Sequence, residues 1–95
     1  MEFKLAKTVQ TVTDYVEYLT GKGFTLGEDA YGFIQFGKHY TNSQDEIVII
    51  AIELTLKIQK EFDGAFFISL LEMLDKEAII NRKQAIRHVE SLNLL

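Results

Sequence analysis

Acid–base catalysis near neutral pH most often draws on histidine, and this sequence offers two, His39 and His88. His39 stands in His39-Tyr40-Thr41-Asn42-Ser43-Gln44-Asp45-Glu46, where a hydroxyl and two carboxylates could converge on the imidazole. A small hydrolase centred on His39 is therefore one expectation. A polar turn with a surface histidine accounts for the same letters, and no glycine-flanked nucleophile or oxyanion-hole signature accompanies them. No catalytic residue is assigned on this basis. His88 has no second histidine at helical spacing, and Glu53, Glu61, Asp63, Glu72, Asp75 and Glu77 lack the spacing of a calcium loop, so neither metal nor cofactor is expected.

Phosphate chemistry would need a glycine loop, and five of the six glycines fall in GKGFTLGEDAYGFIQFG, residues 21–37. A phosphate cradle leaves a strand and opens a helix, so that helical amides point at the anion. Here a helical pattern ends where the glycines begin, and the GK[ST] ending is absent. The glycines read as a helix stop followed by turns.

Anion recognition of another kind would draw on Lys76, Arg82, Lys83 and Arg87, four cations near the C-terminal end of the sequence. Lys83 and Arg87 are four residues apart, on the outer face of a helix expected to start at Asn81, and cations at a helix start oppose its dipole unless an anion is near. A DNA-binding regulator that uses this helix is the alternative function. Glu77 and Glu90 dilute the patch, and a net charge of −4 disfavours nucleic acid as a partner.

The elements that position these residues follow from hydropathy patterning. Phe3 and Leu5 alternate with charge in Met1–Ala6, the period of a short strand. From Thr8 onward Val9, Val12, Val16 and Leu19 make one apolar stripe, an amphipathic helix closed by Gly21-Lys22-Gly23. Phe24-Thr25-Leu26 and Tyr31–Tyr40 are rich in strand formers, and Gly32 and Gly37 read as a bulge or bend in the second of these. Ile50, Ile52, Leu54, Leu56 and Ile58 alternate with Ala51, Glu53, Thr55, Lys57 and Gln59. This period of two, with β-branched residues, favours a strand over Ile47–Ile58, although positions 47, 50, 54 and 58 would also share a helix face. After the Asp63-Gly64 turn, Ala65–Asp75 is a helix apolar on most sides, and a last helix begins at Asn81, which stands at capping-box spacing from Gln84. The expected fold is a single α+β domain over residues 1–95: an N-terminal helix, an antiparallel meander of three to four strands, and two C-terminal helices packed on one sheet face.

Composition limits function further. With 47% hydrophobic and 25% charged residues the chain is globular, and no cysteine is present for a disulfide, a thiolate metal site or a nucleophile. No stretch reads as a membrane span or a secretory leader, so the expectation is a cytoplasmic protein with no membrane partner. The leading functional expectation is a small acidic, non-enzymatic protein-binding module, such as an inhibitor, an immunity-like protein or an adaptor, acting as a homodimer. A strand of a dozen residues spans ~40 Å, more than the ~30 Å diameter of so small a domain, and would leave an edge for a second copy. The residues expected at that interface are Ile52, Leu54 and Leu56 of the strand, with Phe66, Phe67, Leu70, Leu71 and Leu74 of the following helix.

Overall fold

Thr11 leaves the chain extended and its hydroxyl oxygen accepts the Asp14 N–H, which opens helix α1 (Val12–Gly21) of the computed structural model. The structure describes residues 11–95. Four further helices follow, α2 (Ala30–Thr41), α3 (Asp45–Gln59), α4 (Gly64–Lys76) and α5 (Arg82–Ser91), and there is no strand among the described residues. The strand expected at Met1–Ala6 and the first turn of the helix expected from Thr8 lie outside the described residues.

The α+β expectation is corrected to an all-helical fold, and the two segments that carried it are now α2 and α3. Ile47–Ile58 alternates in hydropathy because it lies at the centre of the molecule, where both apparent faces are buried. Ala51 and Thr55, assigned by the alternation to a solvent face, have no exposure at all, while Val48, Ile52 and Leu54 are buried around them. A helix buried on nearly every side loses the 3.6-residue polar stripe that would identify it. The Thr55 hydroxyl donates to Ala51 O at 2.7 Å, so the one polar side chain in this stretch of core is satisfied within its own helix. At 1.5 Å per residue the dozen residues span only ~18 Å. That length fits inside principal extents of 31 × 30 × 25 Å, as a ~40 Å strand would not.

Tyr31–Tyr40 misleads for a different reason. Its strand-forming aromatics sit on a helix whose buried side is made of Ala30, Ile34 and Gly37. Gly37 is neither a bulge nor a bend: a Cβ there would stand 2.9 Å from Ile68 Cδ1 and 3.0 Å from both Leu71 Cδ2 and Phe67 Cε2. The glycine lets α2 lie directly against α4, the most extensive helix–helix contact in the molecule. Phe24-Thr25-Leu26, also expected as strand, is irregular, with Leu26 packed on the core.

The helices expected around the former sheet are present, and each opens on a side-chain cap: Thr11 before α1, Asp63 Oδ1 accepting from Phe66 N before α4, and Asn81 Oδ1 accepting from Gln84 N before α5. α2 and α3 begin without one. α3 touches every other described helix, and the shared core takes residues from all five. Among the described residues there is no sheet for α4 and α5 to cover; they pack on α3 instead.

Candidate functional site

The residues expected to surround His39 do not assemble on it. His39 is exposed on α2, the Ser43 hydroxyl is hydrogen-bonded to Thr41 Oγ1, and Asp45 is held elsewhere. The Asp45 carboxylate takes Lys38 Nζ on one oxygen and accepts the Val12 N–H at 2.9 Å on the other. Lys38, by donating to it, is the main influence holding the Asp45 carboxyl below its usual range. Asp45 therefore joins the starts of α1 and α3 to the end of α2. Among the described residues no group of three His, Asp or Glu side chains is placed to hold a metal ion, and no helix is long and apolar enough to cross a membrane.

The cations Lys76, Arg82, Lys83 and Arg87 are all exposed, but Arg82 turns inward to α3. Its Nε donates to Glu53 Oε1 at 3.1 Å and its Nη2 to Glu53 Oε2, a bidentate pair that joins α5 to α3. Tyr15 of α1 is within reach of the charges of this pair, and burial, then the Glu53 charge, pushes its phenol up to about 12.

Of the residues expected at a dimer interface, Ile52, Leu54, Phe67, Leu70, Leu71 and Leu74 are buried in the core of the single chain, and Leu56 and Phe66 are half-buried against it. The edge strand that gave them that role is absent. Thr55 is the one buried polar side chain, and no buried side-chain nitrogen or oxygen among the described residues lacks a partner. Among the described residues the interior thus holds no open polar site, and the candidate binding features are on the surface.

Two surface features stand out. The first is the outer flank of α2, where Phe33, Phe36 and Tyr40 recur at i, i+3 and i+7 with exposures of 42%, 58% and 62%. The Phe36 and Tyr40 rings stack 5.5 Å apart at 10°. Phe33 lies over Gly64, where a Cβ would come within 2.6 Å of the ring. Gly32, one turn before Phe36, leaves open space where a side chain would stand. Lys38 is the one Lys, Arg, Asp or Glu on α2, and Asp45 neutralises it. Tyr31 is not part of this flank: its hydroxyl meets Thr13 Oγ1 of α1 at 3.1 Å. The spacing of Phe33, Phe36 and Tyr40 is present in the sequence, but in a strand Phe33 would face away from Phe36 and Tyr40.

The second feature is a groove of about 420 Å³ between the α2–α3 and α4–α5 connections. Ile47, Leu74 and Ile79 form its apolar floor, Asn42, Ser43 and Gln44 one wall, and Ala78 and Ile80 the other, with Glu46 and Asp75 also lining it. Of the residues weighed from the sequence it takes Leu74, Asp75 and, from the stretch after His39, Ser43 and Glu46, but neither histidine and none of the four C-terminal cations.

A family model described only as a family of unknown function, DUF6123, matches residues 7–95, and the chain belongs to that family. No curated protein and no solved structure matches it.

Proposed function

We propose that this member of DUF6123 is a non-enzymatic protein-binding module that works as a homodimer, joined through the aromatic flank of α2. The observation that carries this reading is the combination on one exposed helix face of three large aromatics and no unneutralised charge. Phe33, Phe36 and Tyr40 together expose roughly 300 Å², on ~200 Å² for a whole aromatic side chain. A contiguous apolar patch of that size on a small domain is commonly an interaction site, and it supplies more than half of the ~500 Å² per copy that a weak specific dimer needs.

Charge selects a second copy as the occupant. Two chains of net charge −4 repel, so a self-contact is favoured only where the facing surfaces carry no like charges. A twofold contact must also be self-complementary. The flank offers a projecting ring, Phe36, and one turn away a notch at Gly32 that can receive its counterpart.

Sedimentation equilibrium at tens of micromolar tests this directly. The expected mass is that of a dimer, and Phe36→Glu, at an exposed position, is expected to give a folded monomer. A monomeric wild type, or a Phe36→Glu variant that dimerises as well as wild type, overturns the proposal. DNA binding through Lys76, Arg82, Lys83 and Arg87 has less support, because Arg82 is committed to Glu53.

A further inference from the structure

We infer that the groove between the α2–α3 and α4–α5 connections docks a basic, apolar segment of a partner protein: one or two aliphatic side chains on the floor and a Lys or Arg at the acidic rim. This deepens the reading of the chain as a binding module, and it is independent of the dimer.

Shape comes first. A volume of about 420 Å³ lies within the ~300–1,000 Å³ of ordinary ligand sites and suits a few side chains. The groove is held open by backbone bonds on both sides. At the end of α2, Asn42 is left-handed (φ 54°) and Ser43 N donates to Lys38 O; at the end of α4, Ala78 is left-handed (φ 55°) and Ile79 N donates to Leu74 O. Gln84 Oε1 accepts the Ile80 N–H, so the chain around Ile80 is fixed rather than free to fold inward. Ile80 is nonetheless 69% exposed, the most exposed large apolar side chain among the described residues.

Charge then chooses the occupant. Neither Glu46 nor Asp75 is in an ion pair among the described residues. Asp75 lies in the last turn of α4, where a carboxylate faces the negative end of the helix dipole and costs stability. Among the described residues no cation pairs with Asp75 to offset that placement, whereas a bound cation would. The N-terminus of α3 also opens on the groove, but Asp45 and Glu46 in its first turn offset its positive end. An anionic or neutral polar occupant would meet unfavourable charge or waste the apolar floor.

The probe is a fluorescein-labelled 12-residue peptide of alternating Leu and Lys pairs, with a Leu and Glu peptide as control, titrated by anisotropy at low salt. The Lys peptide is expected to bind with a Kd of about 10–100 μM and the Glu peptide not at all. Ile80→Ser, and separately Glu46→Gln with Asp75→Asn, are each expected to weaken binding about tenfold or more. Asp75→Asn alone should also raise the thermal midpoint by a few degrees, an effect opposite to that of a folding defect. Amide shift changes should cluster at residues 42–47 and 78–80, in Phe36→Glu as in wild type, which separates the groove from the dimer. No binding below millimolar peptide, or binding that Ile80→Ser leaves unchanged, overturns the inference, the second because it would mark charge attraction alone.

Discussion

Helices α2 and α3 are neighbours in the chain, both resemble strands in composition, and they use their apolar residues in opposite ways. α3 turns almost everything inward: Val48, Ile50, Ala51, Ile52, Leu54 and Thr55 are buried, and exposure is left to a narrow strip near Glu46 and Lys57. α2 buries Ala30, Ile34 and Gly37 and keeps Phe33, Phe36 and Tyr40 outside, with Gly32 among them. Similar hydropathy thus stands for a structural axis in one case and for a contact surface in the other. What separates them is where the large residues lie: α3 turns them into the core, whereas α2 meets α4 through Gly37 and leaves three aromatics outside.

Truncation should divide the two helices most sharply. Leu54→Ala on α3 removes a side chain 1% exposed and is expected to cost about 2–5 kcal/mol in urea unfolding. Phe36→Ala on α2 should change monomer stability by no more than about 0.5 kcal/mol while weakening self-association. Equal losses of fold stability in the two variants would erase the distinction. The glycines of α2 repeat the contrast within one helix. Gly37→Val drives two branches into the fully buried Phe67 and Leu71 and should cost about 2–3 kcal/mol. Gly32→Ala meets nothing within 4 Å, so it should stabilise the monomer by about 0.5–1 kcal/mol. At the same time it partly fills the notch proposed for the partner's ring, so dimer affinity should move the other way.

How much of this was legible follows from where each element shows its signals. α1, α4 and α5 were readable because each carries a cap or a stop in sequence: Gly23 after α1, Asp63-Gly64 before α4, and Asn81 with Gln84 at the start of α5. α2 and α3 open at Asp29 and Gln44 with no side-chain cap, and their ends are written in residues other than glycine. With the starts unmarked, periodicity had to decide, and in α3 burial had erased it. In sequence the glycines at 32 and 37 read as strand punctuation, yet Gly37 serves helix–helix contact, which depends on α4, about thirty residues away. The groove was illegible for a related reason. Its walls, residues 42–44 and 78–80, come together only through the packing of α3 and α4.

Tyrosines give a pH-dependent version of the inside-and-outside comparison. Tyr15 packs on the core beside Glu53 of α3, and its phenol is pushed from 10.0 to about 12, first by burial. A raised folded value means that the native chain keeps its proton while the unfolded chain loses it. The corresponding stability is fully present below pH ~10 and is lost between there and about 12. Spectrophotometric titration at alkaline pH should show one tyrosine ionising late, in step with unfolding. Tyr15→Phe should remove that late component and flatten the alkaline loss of stability, whereas Tyr40→Phe, on the exposed flank of α2, should leave it in place.

The smallest expected effect concerns how the two helices stop. α2 ends on Asn42 at φ 54° and α3 on Lys60 at φ 69°, both left-handed. Asparagine tolerates that region because its short side chain can bond locally, whereas for lysine the Cβ crowds the backbone with no such relief. Lys60 N donates to Leu56 O at 3.0 Å, so the conformation is fixed by the need to close the last turn of α3. Glycine there would relieve the crowding. Against this stand the greater freedom of glycine in the unfolded chain and the loss of a cation from the end of the helix dipole, each worth a few tenths of a kcal/mol or more. The balance expected is a gain of about 0.5 kcal/mol for Lys60→Gly and a change near zero, or a slight loss, for Asn42→Gly. Chemical denaturation of the two variants side by side reads the difference. A larger gain at Asn42 than at Lys60 would mean that the end of α2, beside the groove, is the more strained of the two.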